Sequence, residues 1–221
     1  MIYEAIGGGI ILLLLFISTF PKFIDSAKNI NSPAYFPDEA FRRFVEKKIG
    51  VSPGERFYAK DTAAITGMLD CSNLGISDLQ GIEYFTAITG LNCNHNRISF
   101  LNLIQNQALE QLHCSENRLT QLDCSGNPKL KKLYCYTNRI ETLLLQECHS
   151  LQILACYQNR LSAIDFSQNP VLQQIHCANN RFENLELNEN HQLAAMNCSN
   201  NPLSVLRSEE HTSELQSRFG I

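Results

Sequence analysis

Between Ile88 and Leu206 apolar and polar residues return on a fixed 21-residue step. Cys93, Cys114, Cys135, Cys156, Cys177 and Cys198 form one column, and Asn96, Asn117, Asn138, Asn159, Asn180 and Asn201 form another. Apolar residues fill the places between them, as with Leu109, Leu112, Leu119 and Leu122 in one unit and Leu151, Leu154, Leu161 and Ile164 in another. The unit therefore reads L-x-x-L-x-C-x-x-N-x-L-x-x-L. Self-similarity at such a period is the mark of a solenoid, in which each unit buries its apolar face only against its neighbours.

A weaker copy of the phrase recurs inside the unit, because Leu122-Asp123-Cys124-Ser125-Gly126-Asn127 repeats Leu112-His113-Cys114-Ser115-Glu116-Asn117. Ile164 to Asn169 and Leu185 to Asn190 follow the same phrase. Each coil is thus expected to carry two short extended segments, each closed by an asparagine-stabilised turn. Successive side chains of a strand point to opposite faces, which places Leu112 and Cys114 inside and His113 and Ser115 outside. The prediction is a mainly β, right-handed solenoid, a flattened coil with short strands on both broad sides.

The phrase resembles the defining segment of leucine-rich repeats. The flanking text, Phe36-Pro37-Asp38 through Phe41-Arg42 and Gly75-Ile76-Ser77-Asp78-Leu79-Gln80-Gly81-Ile82-Glu83-Tyr84-Phe85, looks like the cap and opening repeat of bacterial, internalin-like surface proteins. That resemblance covers about residues 36 to 206 and implies an exported binding module. The opening repeat is atypical, since Leu69, Cys71, Ile76 and Leu79 match Leu91, Cys93, Ile98 and Leu101, but Leu74 stands where asparagine belongs. Before it, Phe41, Phe44, Val45 and Ile49 are spaced for one helical face, with Pro37-Asp38 as a start signal and Gly50 as a stop. This predicts an amphipathic N-terminal helical cap within residues 33–64, followed by the solenoid over 65–206.

The two termini differ from this body. Ile6 to Phe20 carries no charge and precedes a polar stretch. At 15 residues it suits a signal-peptide core better than a full membrane span, which takes roughly twenty. Residues 1–32 are read as signal peptide or membrane anchor plus linker, which would make the protein secreted or held at the cell surface. From Arg207 the chain runs RSEEHTSELQSRFGI, with no apolar period. It resembles an in-frame translation of a sequencing adapter, so 207–221 is expected to be a non-native tail.

Composition, 44% hydrophobic and 18% charged, is that of a folding chain. The net charge of −4 and scattered basic residues give no surface for nucleic acid, which is excluded as a partner. The six ladder cysteines sit where leucine sits in other repeats and read as small core hydrophobes. In-register parallel side chains seldom offer disulfide torsion, so free thiols are expected. His113 beside Cys114 and His176 beside Cys177 project to the opposite face of the strand, which argues against a metal site, and no cofactor is expected. The asparagine column reads as structural, with amides that satisfy backbone groups at each corner.

Specificity is therefore sought in the outward columns, Asn92, His113, Tyr134, Ala155, His176, Asn197 and, beside them, Asn94, Ser115, Tyr136, Tyr157, Ala178, Ser199. His113, Tyr134, Tyr136, Tyr157 and His176 are the expected ligand contacts, since tyrosine on a rigid surface anchors protein or sugar partners at low entropic cost. The opposite strip, Asp123, Asp165 and Glu186, is acidic and sparse, with carboxylates too far apart for paired acid–base work. The sequence thus predicts a non-catalytic module that binds a protein or glycan. The alternative is a recognition or scaffolding arm of a larger protein whose effector or enzymatic domain lies downstream.

Overall fold

A computed structural model describes residues 28–207, with backbone alone for the last three. The apolar segment Ile6–Phe20 and all of the tail beyond Arg207 lie outside the described residues. The chain opens with α1 (Glu39–Ile49), and the short α2 (Ala59–Ala63) follows. A parallel-strand solenoid then begins with β1 (Gly67–Asp70) and β2 (Ile88–Asn92).

The first broad side is one continuous sheet of seven strands. After β2 it takes one strand from each coil: β3 (Gln111–His113), β5 (Lys132–Tyr134), β7 (Ile153–Ala155), β8 (Gln174–His176) and β10 (Ala195–Asn197). Register is strict, with Leu91, Leu112, Leu133, Leu154, Ile175 and Met196 in one row across the sheet. Every residue of that row is buried, as are the six ladder cysteines two residues further on. The ladder continues past the strands, because the cysteine N–H groups donate to the next coil, Cys114 to Tyr134 at 2.8 Å and Cys156 to His176 at 2.8 Å.

On the second side the ladder is interrupted. β4 (Gln121–Asp123) pairs with β6 (Thr142–Leu144), and β9 (Asn184–Glu186) with β11 (Val205–Arg207), while Ile164 and Leu101 lie in no strand. The interior explains the contrast. The first side stacks equal cysteines, whereas the corresponding row here runs Leu103, Cys124, Leu145, Phe166, Leu187, all buried and uneven in volume. A close-packed interior transmits such differences to the backbone, and the coil that buries Phe166 has no strand partner on either side.

Each coil turns its first corner through a residue in the left-handed region: Asn73, His95, Glu116, Thr137, Gln158, Asn179 and Asn200, with φ between 52° and 58°. One residue or more later an asparagine side chain ties adjacent coils. Asn138 donates through Nδ2 to the carbonyls of Cys114 and Cys135 at 3.0 and 3.1 Å, and its Oδ1 accepts from Leu119 N–H at 3.0 Å. Asn117, Asn159, Asn180 and Asn201 repeat the arrangement.

The N-terminal end of the core is closed by the helical segment. Phe36, Phe41, Val45 and Phe57 are fully buried, and the Phe41 ring lies 6.3 Å from that of Phe85 in the opening repeat. Asp38 caps α1 by accepting from Phe41 N–H at 3.0 Å. Its second oxygen accepts from the Ser77 N–H and hydroxyl, both at 2.8 Å, and so fastens the helix to the first coil. Gly81 (φ 105°) stands against Phe36, whose ring leaves no room for a Cβ. Residues before the helix join this end as well, since Ile30 is buried and donates its N–H to the Phe57 carbonyl at 2.9 Å.

Candidate functional site

The continuous sheet turns its outer face to solvent, and the strand alternation brings His113, Tyr134 and His176 onto it from β3, β5 and β8. Tyr136 and Tyr157 follow two residues after Tyr134 and Ala155, on the same face. All five rings are half-buried. Together with Ala155 they line an open concavity of about 480 Å³.

The rings are held by one another. His113 stacks on Tyr134 with centroids 4.6 Å apart and planes inclined by 27°, and Tyr136 stacks on Tyr157 at 4.5 Å and 4°. In-register parallel strands impose this spacing, because each column steps by one strand separation. Such pairs fix the rotamers before any partner arrives, so little side-chain entropy remains to be lost on binding.

Electrostatics at the face are mild. Burial holds the His113 imidazole below its usual range; Asp70 opposes the shift and Lys132 adds to it, so the ring is neutral at pH 7. Burial raises the Tyr157 phenol, and the neighbouring Tyr136 together with a hydrogen bond between the two side chains raises it further. The face therefore offers aromatic rings, phenol hydroxyls and two imidazoles.

Some positions that alternation places outward are not exposed. Ala155, Ala178 and Ser115 are buried at 4%, 6% and 0%, because short side chains lie below the level of the rings beside them. They form floor, not contact points. Sequence reasoning also passed over a third outward column, Gln111, Lys132, Ile153 and Gln174, at the start of the same strands. The alternation that marked His113 marks Gln111 equally, so the signal was present.

The cysteine and asparagine columns sit away from this face. All nine cysteines are free and buried. Burial, with a contribution from Asp70, pushes the Cys71 thiol up to about 12, and burial followed by nearby carboxylates does the same for Cys148. Burial raises Cys114, Cys135 and Cys156 as well. A thiol held protonated is neither nucleophile nor metal ligand at neutral pH. Among the described residues no three His, Cys, Asp or Glu side chains gather to hold a metal. On the second side Asp123 accepts from the Ser125 N–H and hydroxyl, and Asp165 from the Ser167 N–H, so both carboxylates close local turns.

Comparison with known proteins places this geometry. Residues 36–201 match the family described as the endo-beta-N-acetylglucosaminidase EndoS LRR domain. Internalin J of Listeria monocytogenes serotype 4b (strain F2365) is 36% identical over 72 residues, which is 33% of this chain. The match spans 8% of that protein's own length. Among solved structures, internalin C2 from L. monocytogenes strain 4b F2365 is similar in fold, with a TM-score of 0.58 at 20% identity over 86% of this chain and 93% of that one. The functional domain of InlJ from L. monocytogenes, described as including a cysteine ladder, aligns over 88% of this chain and 56% of its own at 26% identity and a TM-score of 0.45.

Proposed function

We propose, from the premise that this chain belongs to the family of the endo-beta-N-acetylglucosaminidase EndoS LRR domain, that it is an exported or surface-attached bacterial module that binds a macromolecular ligand through its continuous sheet. The observation that carries the reading is the concavity lined by His113, Tyr134, Tyr136, Tyr157 and His176. Half-buried, mutually stacked aromatic rings on a rigid sheet provide large contact area whose ordering cost is met during folding. Leucine-rich repeat domains generally serve as protein-binding surfaces, and the solenoid leaves its specificity to such exposed positions. The reading assigns no catalysis to these residues. The cysteine thiols are buried and held protonated.

A second reading is favoured by a specific observation. The matched family is named for a repeat domain within an endoglycosidase, and the alignment to Internalin J covers a small part of that protein. On that reading the solenoid is the recognition arm of a larger protein, and the same sheet selects the target on which another domain acts. Both readings use the same face, so one experiment bears on both. The full chain is presented to arrays of extracellular protein domains and of glycans, and the captured partner is retested with Tyr134, Tyr136 and Tyr157 together changed to Ala. Loss of binding with an unchanged circular dichroism spectrum supports the reading; retained binding removes this face from consideration.

A further inference from the structure

The aromatic columns have the form of a ladder with one rung absent. Register sets His113, Tyr134, Ala155 and His176 side by side on consecutive strands. His113 covers one face of Tyr134 at 4.6 Å, which leaves the other face turned toward the space above Ala155. His176 stands on the far side of that space. Two strand steps separate Tyr134 from His176, about 9.6 Å at the ~4.8 Å spacing of paired strands. A flat ring placed midway would lie ~4.8 Å from each wall, the separation at which aromatic pairs attract and close to that of the stacked pairs already on this face. Half-buried Tyr157, two residues after Ala155 on the same coil, closes one side.

We propose that this gap is a socket for one aromatic side chain of a protein partner, which completes the ladder between Tyr134 and His176 with Ala155 as its floor. The inference rests on the sheet being the docking face and specifies what that face takes. The lining selects the chemistry. No carboxylate, guanidinium or ammonium is among the lining residues. A sugar ring held by stacking also needs acceptors and donors for its hydroxyls, and the lining supplies phenols and imidazoles without a carboxylate or amide. An aromatic ring needs two ring faces and an apolar floor, which are all present. A buried aromatic anchor in a preformed pocket is also what concentrates binding energy at protein interfaces.

The protein contains no tryptophan, so N-acetyl-tryptophanamide serves as a fluorescent probe without background. Titration with the full chain is expected to shift its emission to the blue and raise its polarisation. Ala155→Tyr fills the gap with the protein's own ring and should abolish both changes while the circular dichroism and melting point hold. His176→Ala removes one wall at a half-exposed position and should weaken the probe by about tenfold, which decides the matter even if Ala155→Tyr fails to fold. No response from the wild type, or an equal response from His176→Ala and a folded Ala155→Tyr, overturns the socket. Displacement of the probe by methyl N-acetyl-β-glucosaminide also overturns it and reassigns the gap to a sugar. With the captured partner, binding lost in the triple tyrosine variant but kept in Ala155→Tyr removes the socket and leaves the docking face. Binding kept in both removes the face itself.

Discussion

At the scale of single residues the solenoid depends on amides that reach across coils. Asn138 joins the carbonyls of Cys114 and Cys135 to the N–H of Leu119, so its loss leaves several backbone groups unpaired at once. Each such group costs roughly 1–3 kcal/mol when buried, and Asn138→Ala should destabilise by about 2–4 kcal/mol in urea unfolding. The second corner has its own column, Asn106, Asn127, Asn169 and Asn190, in which Cys148 takes the one missing place. Asn127 donates to the Leu103 and Asn106 carbonyls, both at 3.0 Å, whereas the Cys148 thiol reaches Cys124 O at 3.1 Å and Asn127 O only at 3.9 Å. Cys148→Asn would restore both amide donors but bury an Oδ1 that, like those of Asn106, Asn127, Asn169 and Asn190, has no donor to accept from. Stability in urea unfolding should therefore stay within about 1 kcal/mol of wild type, and a larger loss would refute the equivalence. Cys148 was legible, standing 21 residues after Asn127 and 21 before Asn169, but a thiol among nine cysteines drew attention to the other ladder. The burial of Ala155 was not legible, because alternation gives the direction of a side chain and not the height of its neighbours.

Among the elements, α1 shows how a cap is fastened to a repeat. Burial on its own would raise the Asp38 carboxyl, but hydrogen bonds from Ser77, Phe41 and Asp78 outweigh it and hold the group below its ordinary value of 3.8. A carboxylate whose folded pKa is depressed contributes stability above the unfolded pKa and loses it as pH falls through the folded one. Asp38→Ala should thus cost about 1–2 kcal/mol at pH 6. The gap between variant and wild type should close as pH drops below 3.8. A gap that is constant from pH 6 to strongly acidic solution would show that the carboxylate's charge is not what holds the junction. The helix start at Asp38 and stop at Gly50 could be read directly from the chain, and so could the period that sets the strands of the first side. The broken second ladder could not, since Leu, Cys and Phe all satisfy an apolar pattern and only their packed volumes differ.

For the molecule as a whole, nearest-neighbour stacking makes stability a sum over coils. The nine thiols report on it, because all are buried and free. In native buffer, alkylation of these buried thiols should proceed only through opening of coils. Unfolding without reductant should expose all nine to label; fewer than nine by mass would demonstrate a disulfide and overturn the packing of the ladder.

Because the strands run parallel and each coil bonds only to its neighbours, tension applied along the solenoid axis would meet those bonds in sequence and not together. The chain would then yield in steps, each releasing one coil of roughly 70 Å of contour at about 3.3–3.6 Å per residue. A chain pulled between its two ends would thus lengthen by steps instead of failing at once, as an extensible tether does.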